Sequence, residues 1–228
     1  VFVLSDLDLG MNNWMTKPFS YPDKPMDRGK VLTADQVLEN GFKRYLDLDG
    51  DGIPYRTLPG TLANGASYFT RGSGHNESAK YSEDPQDYIT NMSRLRHKID
   101  SSRETLPAPI IEQIKTANIG FLGFGSTDPA IIEARDRLAD IGVESSYMRV
   151  RALPTSLKVS EFIAAHDRVY VIEMNIEGQL HKLLQIKSPE LATKLISLAH
   201  CDGLPLTASW VVNQILEQER GPNGKIRQ

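Results

Sequence analysis

Between about residue 116 and residue 228, short apolar runs alternate with segments whose apolar residues recur at helical spacing. That alternation restricts this part of the chain to α/β architecture with a largely parallel sheet covered on both faces. Ile119 to Phe124 reads as a strand ending in Gly125-Ser126-Thr127, after which Asp128 caps a helix with Pro129 at its first position. Ile131, Ala134, Leu138 and Ile141 share one helix face, and Gly142 suits the C′ position. Tyr147 to Val150 reads as a second strand, Ser156 to Ala165 as a second helix, and Val169 to Met174 as a third strand, taken as apolar throughout. A helix begins near Gly178, a fourth strand runs from about Leu195 to Ala199, and a last helix spans Thr207 to about Glu219.

The preceding hundred residues read differently. From Gly10 to about Pro109 the chain carries eight of its thirteen prolines, and each X-Pro pair disfavours helix at the residue before it. Two helices are expected here: Thr33 to about Phe42, with Thr33 and Gln36 forming a capping box, and Pro85 to about Ser102, capped by Asp84. The rest is expected to lack a self-contained core and to lie over other surfaces, with Leu106 to Pro109 as a linker. Residues 1–4, Val-Phe-Val-Leu, resemble a buried strand entered midway, with Ser5-Asp6 at its carboxyl end. The chain is therefore expected to be the carboxyl part of a longer protein.

Charge and cysteine content exclude several functions. Twenty-six Lys and Arg against 29 Asp and Glu leave a net charge of −3, without the basic footprint of a nucleic-acid binder. The lone Cys201 excludes an internal disulfide framework, a Cys-rich zinc site and a cluster held by this chain alone. No apolar run approaches the roughly 20 residues of a membrane span, and no signal peptide is present, so the expected location is cytoplasmic.

Several local patterns bear on chemistry. Gly123-Phe124-Gly125-Ser126-Thr127-Asp128 occupies a strand-to-helix turn, where glycine loops hold pyrophosphates, but it lacks the third glycine. Asp128 places a carboxylate where the phosphate would sit, and Arg149 and Arg151 stand where an acid would bind ribose. Asp47, Asp49, Asp51 and Gly52 match the opening of a calcium loop, but Leu58 replaces the closing glutamate. Gly50-Asp51-Gly52 followed by Asn76 resembles a thiamine-diphosphate signature without its strand and helix flanks, and reads as coincidence. Gly72-Ser73-Gly74-His75-Asn76-Glu77 is a glycine-flanked polar cluster in which the backbone can approach a ligand closely and the histidine can shuttle protons. Arg56 could clamp a carboxylate bidentately. His97, His166, His181 and His200 lack metal spacing and read as structural.

Taken in order, the segments VFVLSDLDLGMNNWM (1–15), YPDKPMDRGKVLT (21–33), DLDGDGIPYRTLPG (47–60), YFTRGSGHNE (68–77), GFGSTDPAIIEARDRL (123–138), VRALP (150–154), VIEMNIEGQL and DGLPLTASW resemble the α subunit of 2-oxoacid:ferredoxin oxidoreductases, especially the 2-oxoglutarate type. The resemblance implies that residues 1–10 end a pyrimidine-binding domain, 11–115 form a connecting segment, and 116–228 form a transketolase C-terminal-like domain. It also implies oxidative decarboxylation of a 2-oxoacid to an acyl-coenzyme A and CO2, with electrons passing to ferredoxin. Thiamine diphosphate, Mg2+ and a [4Fe–4S] cluster would be held mainly by a β subunit, and the fragment alone would be inactive. His75 and Asn76 would then be polar contacts to substrate or cofactor, and Arg56 a weaker partner for a carboxylate. Where the family often has G-D-E-H-[DN]-E, this chain has Gly72-Ser73-Gly74-His75-Asn76-Glu77, so an acidic role does not carry over. Two other readings stand beside this one. The first is a non-catalytic α/β interaction module with a calcium loop at Asp47 to Asp51, and the second is an NADP-binding domain using Arg149 or Arg151.

Overall fold

A computed structural model describes residues 3, 5–70 and 74–220. The chain divides into two compact units, one of residues 1–16 with 106–228 and one of residues 17–105, where divisions near 10 and 115 are expected from the sequence. In the first unit, Asp6 accepts a hydrogen bond from the Leu9 amide (2.8 Å) and caps helix α1 (Leu7–Met11). Residues 7–10 are thus helical rather than the end of a strand, because a side-chain cap satisfies the first turn. The expected strand at 1–4 rests largely on Val1, Phe2 and Leu4, which lie outside the described residues.

In the second unit, helix α2 (Ala34–Asn40) carries the expected capping box: Gln36 N donates to Thr33 Oγ1, and Thr33 N donates to Gln36 Oε1 (2.9 Å). Helix α3 (Pro85–Ser101) is capped by Asp84 with Pro85 in its first turn. Buried positions here are few and small, among them Val37, Pro54, Thr57, Ala66 and Ala79.

The sheet belongs to the first unit. Its elements are β1 (Ile110–Glu112), β2 (Ile119–Phe124), α4 (Asp128–Ala139), β3 (Ser145–Val150), α5 (Leu157–Ala164), β4 (Arg168–Glu173), α6 (Gln179–Lys187), β5 (Leu195–Ala199) and α7 (Ala208–Glu219). The strand order is β1-β3-β2-β4-β5, with β3, β2, β4 and β5 parallel and β1 antiparallel to β3. The sequence reading misses β1 because three exposed residues after Pro109 carry no periodic signal, as is usual for a short edge strand.

Side chains alternate across the sheet and sort the helices. Phe121, Tyr170 and Ile172 pack with Ile131, Ala134 and Leu138 of α4 and Val211 and Ile215 of α7. Leu122, Val169 and Val171 pack on the other face with Val159, Phe162 and Ile163 of α5 and Leu180 and Leu184 of α6. Burying each of these larger side chains stabilises the fold by about 1.5–3 kcal/mol. Close packing also dictates glycine on β2: a Cβ at Gly120 would sit 2.8 Å from Phe162 Cε1, and one at Gly123 would collide with Ile131 Cδ1. Gly142 ends α4 as expected, in a Schellman arrangement where Val143 N donates to Leu138 O (2.9 Å) and Gly142 N to Ala139 O (2.9 Å).

One charge is sealed into this core. Glu219, fully buried on α7, accepts two hydrogen bonds from Arg168 (2.9 and 3.0 Å) and one from the Tyr170 hydroxyl. Burial, then the bond to Glu219, holds that hydroxyl above the usual phenol range. Replacing Glu219 with Ala strands the Arg168 charge and the Tyr170 hydroxyl together, so Glu219→Ala is expected to lower unfolding free energy by about 3–5 kcal/mol. Urea denaturation checks this, and an unchanged midpoint contradicts it.

Candidate functional site

Two regions bring polar side chains together. The first is the carboxyl edge of the parallel sheet, between β2 and β4, where the chain leaves one strand toward β3 and the other toward β5. Open α/β sheets bind ligands at such a switch point, because helix N-termini converge there. In this chain both neighbouring N-termini are filled by its own carboxylates. Asp6 accepts hydrogen bonds from the Ser126 hydroxyl and amide at the turn leading into α4, whose Gly125 has φ +61°. Burial raises the Asp6 carboxyl, and the bonds from Leu9 and Ser126 together outweigh it, leaving it below the ordinary Asp value. Glu173, fully buried at the end of β4, accepts from the amides of Leu180 (2.8 Å) and His181 (3.0 Å) and from Asn175 Nδ2 (2.6 Å).

These contacts correct three readings of the sequence. Asp128 does not cap α4: it accepts from the Tyr147 hydroxyl (2.8 Å) and pairs with Arg149 (3.0 Å), because α4 begins at Asp128 itself after a 3-10 turn. The third strand is not apolar throughout, since Glu173 lies in it. An acid amid Val169-Tyr-Val-Ile, shortly before Gly178 and a helix start, was the available signal. The NADP reading loses its residues, because Arg149 is paired with Asp128 and directed at Gly125 O (3.4 Å), and Arg151 Nε donates to Ala108 O (2.8 Å).

The second region lies in residues 17–105. Asp47 folds back on its own loop, accepting from the amides of Gly50 (3.0 Å) and Gly52 (2.9 Å). Asp49 and Asp51 converge on a cation, but it is the Lys30 ammonium, at 2.5 and 2.8 Å. The calcium reading is thereby corrected: a built-in amine takes the place of the ion. Among the described residues, no three His, Cys, Asp or Glu are grouped to hold a metal.

Asn76 spends its side-chain oxygen on the amides of Ser78 (3.0 Å) and Lys80 (3.1 Å), shaping a turn that carries Ala79 at φ 65°. His75 stacks on Tyr45, with ring centres 3.8 Å apart and planes at 19°. Gly72 and Ser73 lie outside the described residues. Among the remaining histidines, His166 is buried with Nδ1 2.7 Å from Phe162 O, His181 Nε2 lies 3.3 Å from Leu195 O, and His200 pairs with Asp202 (3.1 Å). His97 is exposed on α3.

Arg56 is brought to a cavity of about 350 Å3 that it lines with Arg28, Lys30, Arg44, Arg94 and Lys98. Sequence reasoning singled out Arg56 alone of these six. The guanidinium groups of Arg44 and Arg94 lie 4.9 and 5.6 Å from the centre of the Tyr45 ring, so His75 stands against the aromatic support of this cluster.

The first unit is thus a mixed α/β domain on a mostly parallel five-stranded sheet, of the kind found in a 2-oxoglutarate:ferredoxin oxidoreductase. The chain is homologous to part of the α subunits of 2-oxoacid:ferredoxin oxidoreductases. It is 30% identical over 167 residues to the α subunit of 2-oxoacid:ferredoxin oxidoreductase 2 of Aeropyrum pernix, covering 71% of this chain and 25% of the relative. With the α subunit of 2-oxoacid:ferredoxin oxidoreductase 1 of the same organism it shares 26% identity over 208 residues, covering 88% and 31%. It superimposes with a TM-score of 0.66 and 26% identity on the 2-oxoglutarate:ferredoxin oxidoreductase of Magnetococcus marinus, solved with 2-oxoglutarate, coenzyme A and succinyl-CoA bound, covering 78% of this chain and 30% of that one. The chain therefore spans between a quarter and a third of these relatives' lengths. No protein-family model matches it.

The Lys30 bridge makes a pH prediction. Its hydrogen bond is the largest influence holding Asp49 and Asp51 below the ordinary 3.8, with Tyr55 assisting Asp49 and the Ile53 amide assisting Asp51. Both folded-state values lie below the unfolded one, so the bridge's contribution is present above pH 3.8 and is lost as the pH falls through the depressed values. In Lys30→Met both carboxyls should titrate at higher pH than in the wild type. Carboxyl-carbon NMR titration checks this, and coincident curves would refute the bridge.

Proposed function

We propose that this chain is part of the α subunit of a cytoplasmic, thiamine-diphosphate-dependent 2-oxoacid:ferredoxin oxidoreductase whose 2-oxoacid is 2-oxoglutarate. The reaction joins 2-oxoacid and coenzyme A to give acyl-coenzyme A and CO2, with two electrons passing to ferredoxin. The observation that carries the reading is the 30% identity to an α subunit over 71% of the chain, supported by the Magnetococcus marinus fold at a TM-score of 0.66. The strand order and the ordered sequence segments agree with it. The interaction-module alternative retains no specific observation once Lys30 takes the place of calcium.

Neither the cysteine content nor the sheet edge fits the cofactors themselves. A cluster needs several thiolates and the chain has Cys201 alone; at the sheet edge, the helix N-terminal amides at α4 and α6 that could hold the thiamine diphosphate are taken by Asp6 and Glu173. We assign thiamine diphosphate, Mg2+ and the [4Fe–4S] cluster mainly to a companion β subunit, with this chain supplying scaffold and polar wall. Alone it is inactive. Of the three site residues, Arg56 lines the cavity, His75 has Nδ1 3.2 Å from Asn76 O, and the Asn76 side-chain oxygen is committed to its turn.

Co-expression of the full-length α subunit with its β partner should give 2-oxoglutarate- and coenzyme A-dependent reduction of a low-potential dye. Absence of activity with every 2-oxoacid overturns the assignment. In that complex His75→Ala should lower kcat/KM about tenfold, equivalent to about 1.4 kcal/mol of lost transition-state stabilisation. Wild-type kinetics would remove His75 from the site.

A further inference from the structure

We propose that the cavity lined by Arg28, Arg44, Arg56, Arg94 and Lys98 is a binding site for a phosphate-bearing anion. This inference is independent of the oxidoreductase assignment, because it rests on uncompensated charge within residues 17–105.

The cavity holds about 350 Å3, the lower end of the range for small-molecule sites. Six cationic residues line it, and Lys30 is paired with Asp49 and Asp51, which leave one negative charge over against the remaining five cations. Among the described residues, no carboxylate lies within ion-pair distance of any of the other five. Asp47, whose charge acts on Arg94, has both oxygens engaged by the Gly50 and Gly52 amides.

The guanidinium groups are instead held by groups that orient without neutralising. Arg94 Nη1 donates to Gly52 O (3.3 Å), Arg44 Nη1 to Tyr55 O (3.5 Å) and Arg56 Nη2 to Arg28 O (2.7 Å). Tyr45 offers its ring to both Arg44 and Arg94. The Nε atoms of Arg44 and Arg94 are buried and lack a hydrogen-bond partner. A buried unpaired donor on a charged group is costly, and two like charges held together add to that cost. Consistently, burial and then the Arg44 charge hold Arg94 below the ordinary arginine value. Only a ligand bringing negative charge and several acceptor oxygens relieves all three costs together.

The arrangement is also preorganised. At Gly52, with φ +79°, a Cβ would lie 2.5 Å from Lys98 N and 2.8 Å from Arg94 O. The loop backbone therefore packs directly on α3, fixing Arg56 relative to Arg94 and Lys98 before any ligand arrives. Guanidinium forks match tetrahedral oxyanions, and a single carboxylate would leave most of this charge unbalanced. A diphosphate-sized group satisfies both the charge and the volume.

The test is calorimetric titration of inorganic pyrophosphate into the full-length chain, alone and with its companion subunit. One saturable site is expected, with affinity at least tenfold weaker in Arg94→Gln and in Arg44→Gln. Because those half-buried residues contribute to packing, the exposed Arg28→Gln provides a second test and should weaken binding severalfold while the melting temperature stays unchanged. Arg137→Gln, on α4, should bind as the wild type does. Competition by coenzyme A would identify the phosphate groups of a nucleotide-bearing cofactor as the ligand; pyrophosphate binding that coenzyme A does not displace would identify a free diphosphate. Either result supports the site. No binding at millimolar pyrophosphate, undiminished binding by all three arginine variants, or tighter binding of 2-oxoglutarate than of pyrophosphate overturns it.

Discussion

Parallel strands followed by helices direct every helix N-terminus to one edge of the sheet, and the positive ends of those helices must be answered there. In this protein the answer at α6 is Glu173, a carboxylate with no exposed surface that accepts from two amides and from Asn175. The whole β4–α6 connection is arranged around it. Gly178 turns into the helix at φ 61°, where a Cβ would sit 2.6 Å from Ser197 Oγ, so the loop lies close on β5. Asp6 does the same for the turn before α4, although it comes from the far end of the sequence. An edge that in other α/β proteins awaits an anion is here complete in itself.

Residues 17–105 show the opposite balance. There the acids are spent locally: Asp47 on its own turn, Asp49 and Asp51 on Lys30, Glu77 on Lys43. Of the five other lining cations, Arg44, Arg56 and Arg94 are held by carbonyls and an aromatic ring. Carbonyl and ring contacts orient a guanidinium while leaving its charge available, which is the electrostatic condition of a receptive site rather than of a surface ion-pair network.

Legibility in the sequence followed the range of the interactions involved. Thr33 with Gln36, Asp84 with Pro85, and Gly142 after Leu138 act within five residues, and each is placed as the local pattern predicts. The strands β2 and β4 are readable because burial on both faces demands nearly continuous apolar runs. Asp6 meeting Ser126 was not readable, since 120 residues separate them. The edge strand β1 is too short to carry a period. The cationic cavity draws its residues from four separate stretches, around 28–30, 44, 56 and 94–98, none of which is a basic run, so a net charge of −3 concealed it.

His75 holds a different place from the one its sequence suggests. A histidine following Gly72-Ser73-Gly74 suggests a proton carrier facing a ligand, yet its ring is laid on Tyr45, and Tyr45 in turn supports Arg44 and Arg94. A histidine stacked at 3.8 Å fixes the plane of the phenol ring, and the ring fixes where two guanidinium groups can rest. Loss of the imidazole would therefore also be felt as disorder in the arginines and, through them, by whatever anion they bind.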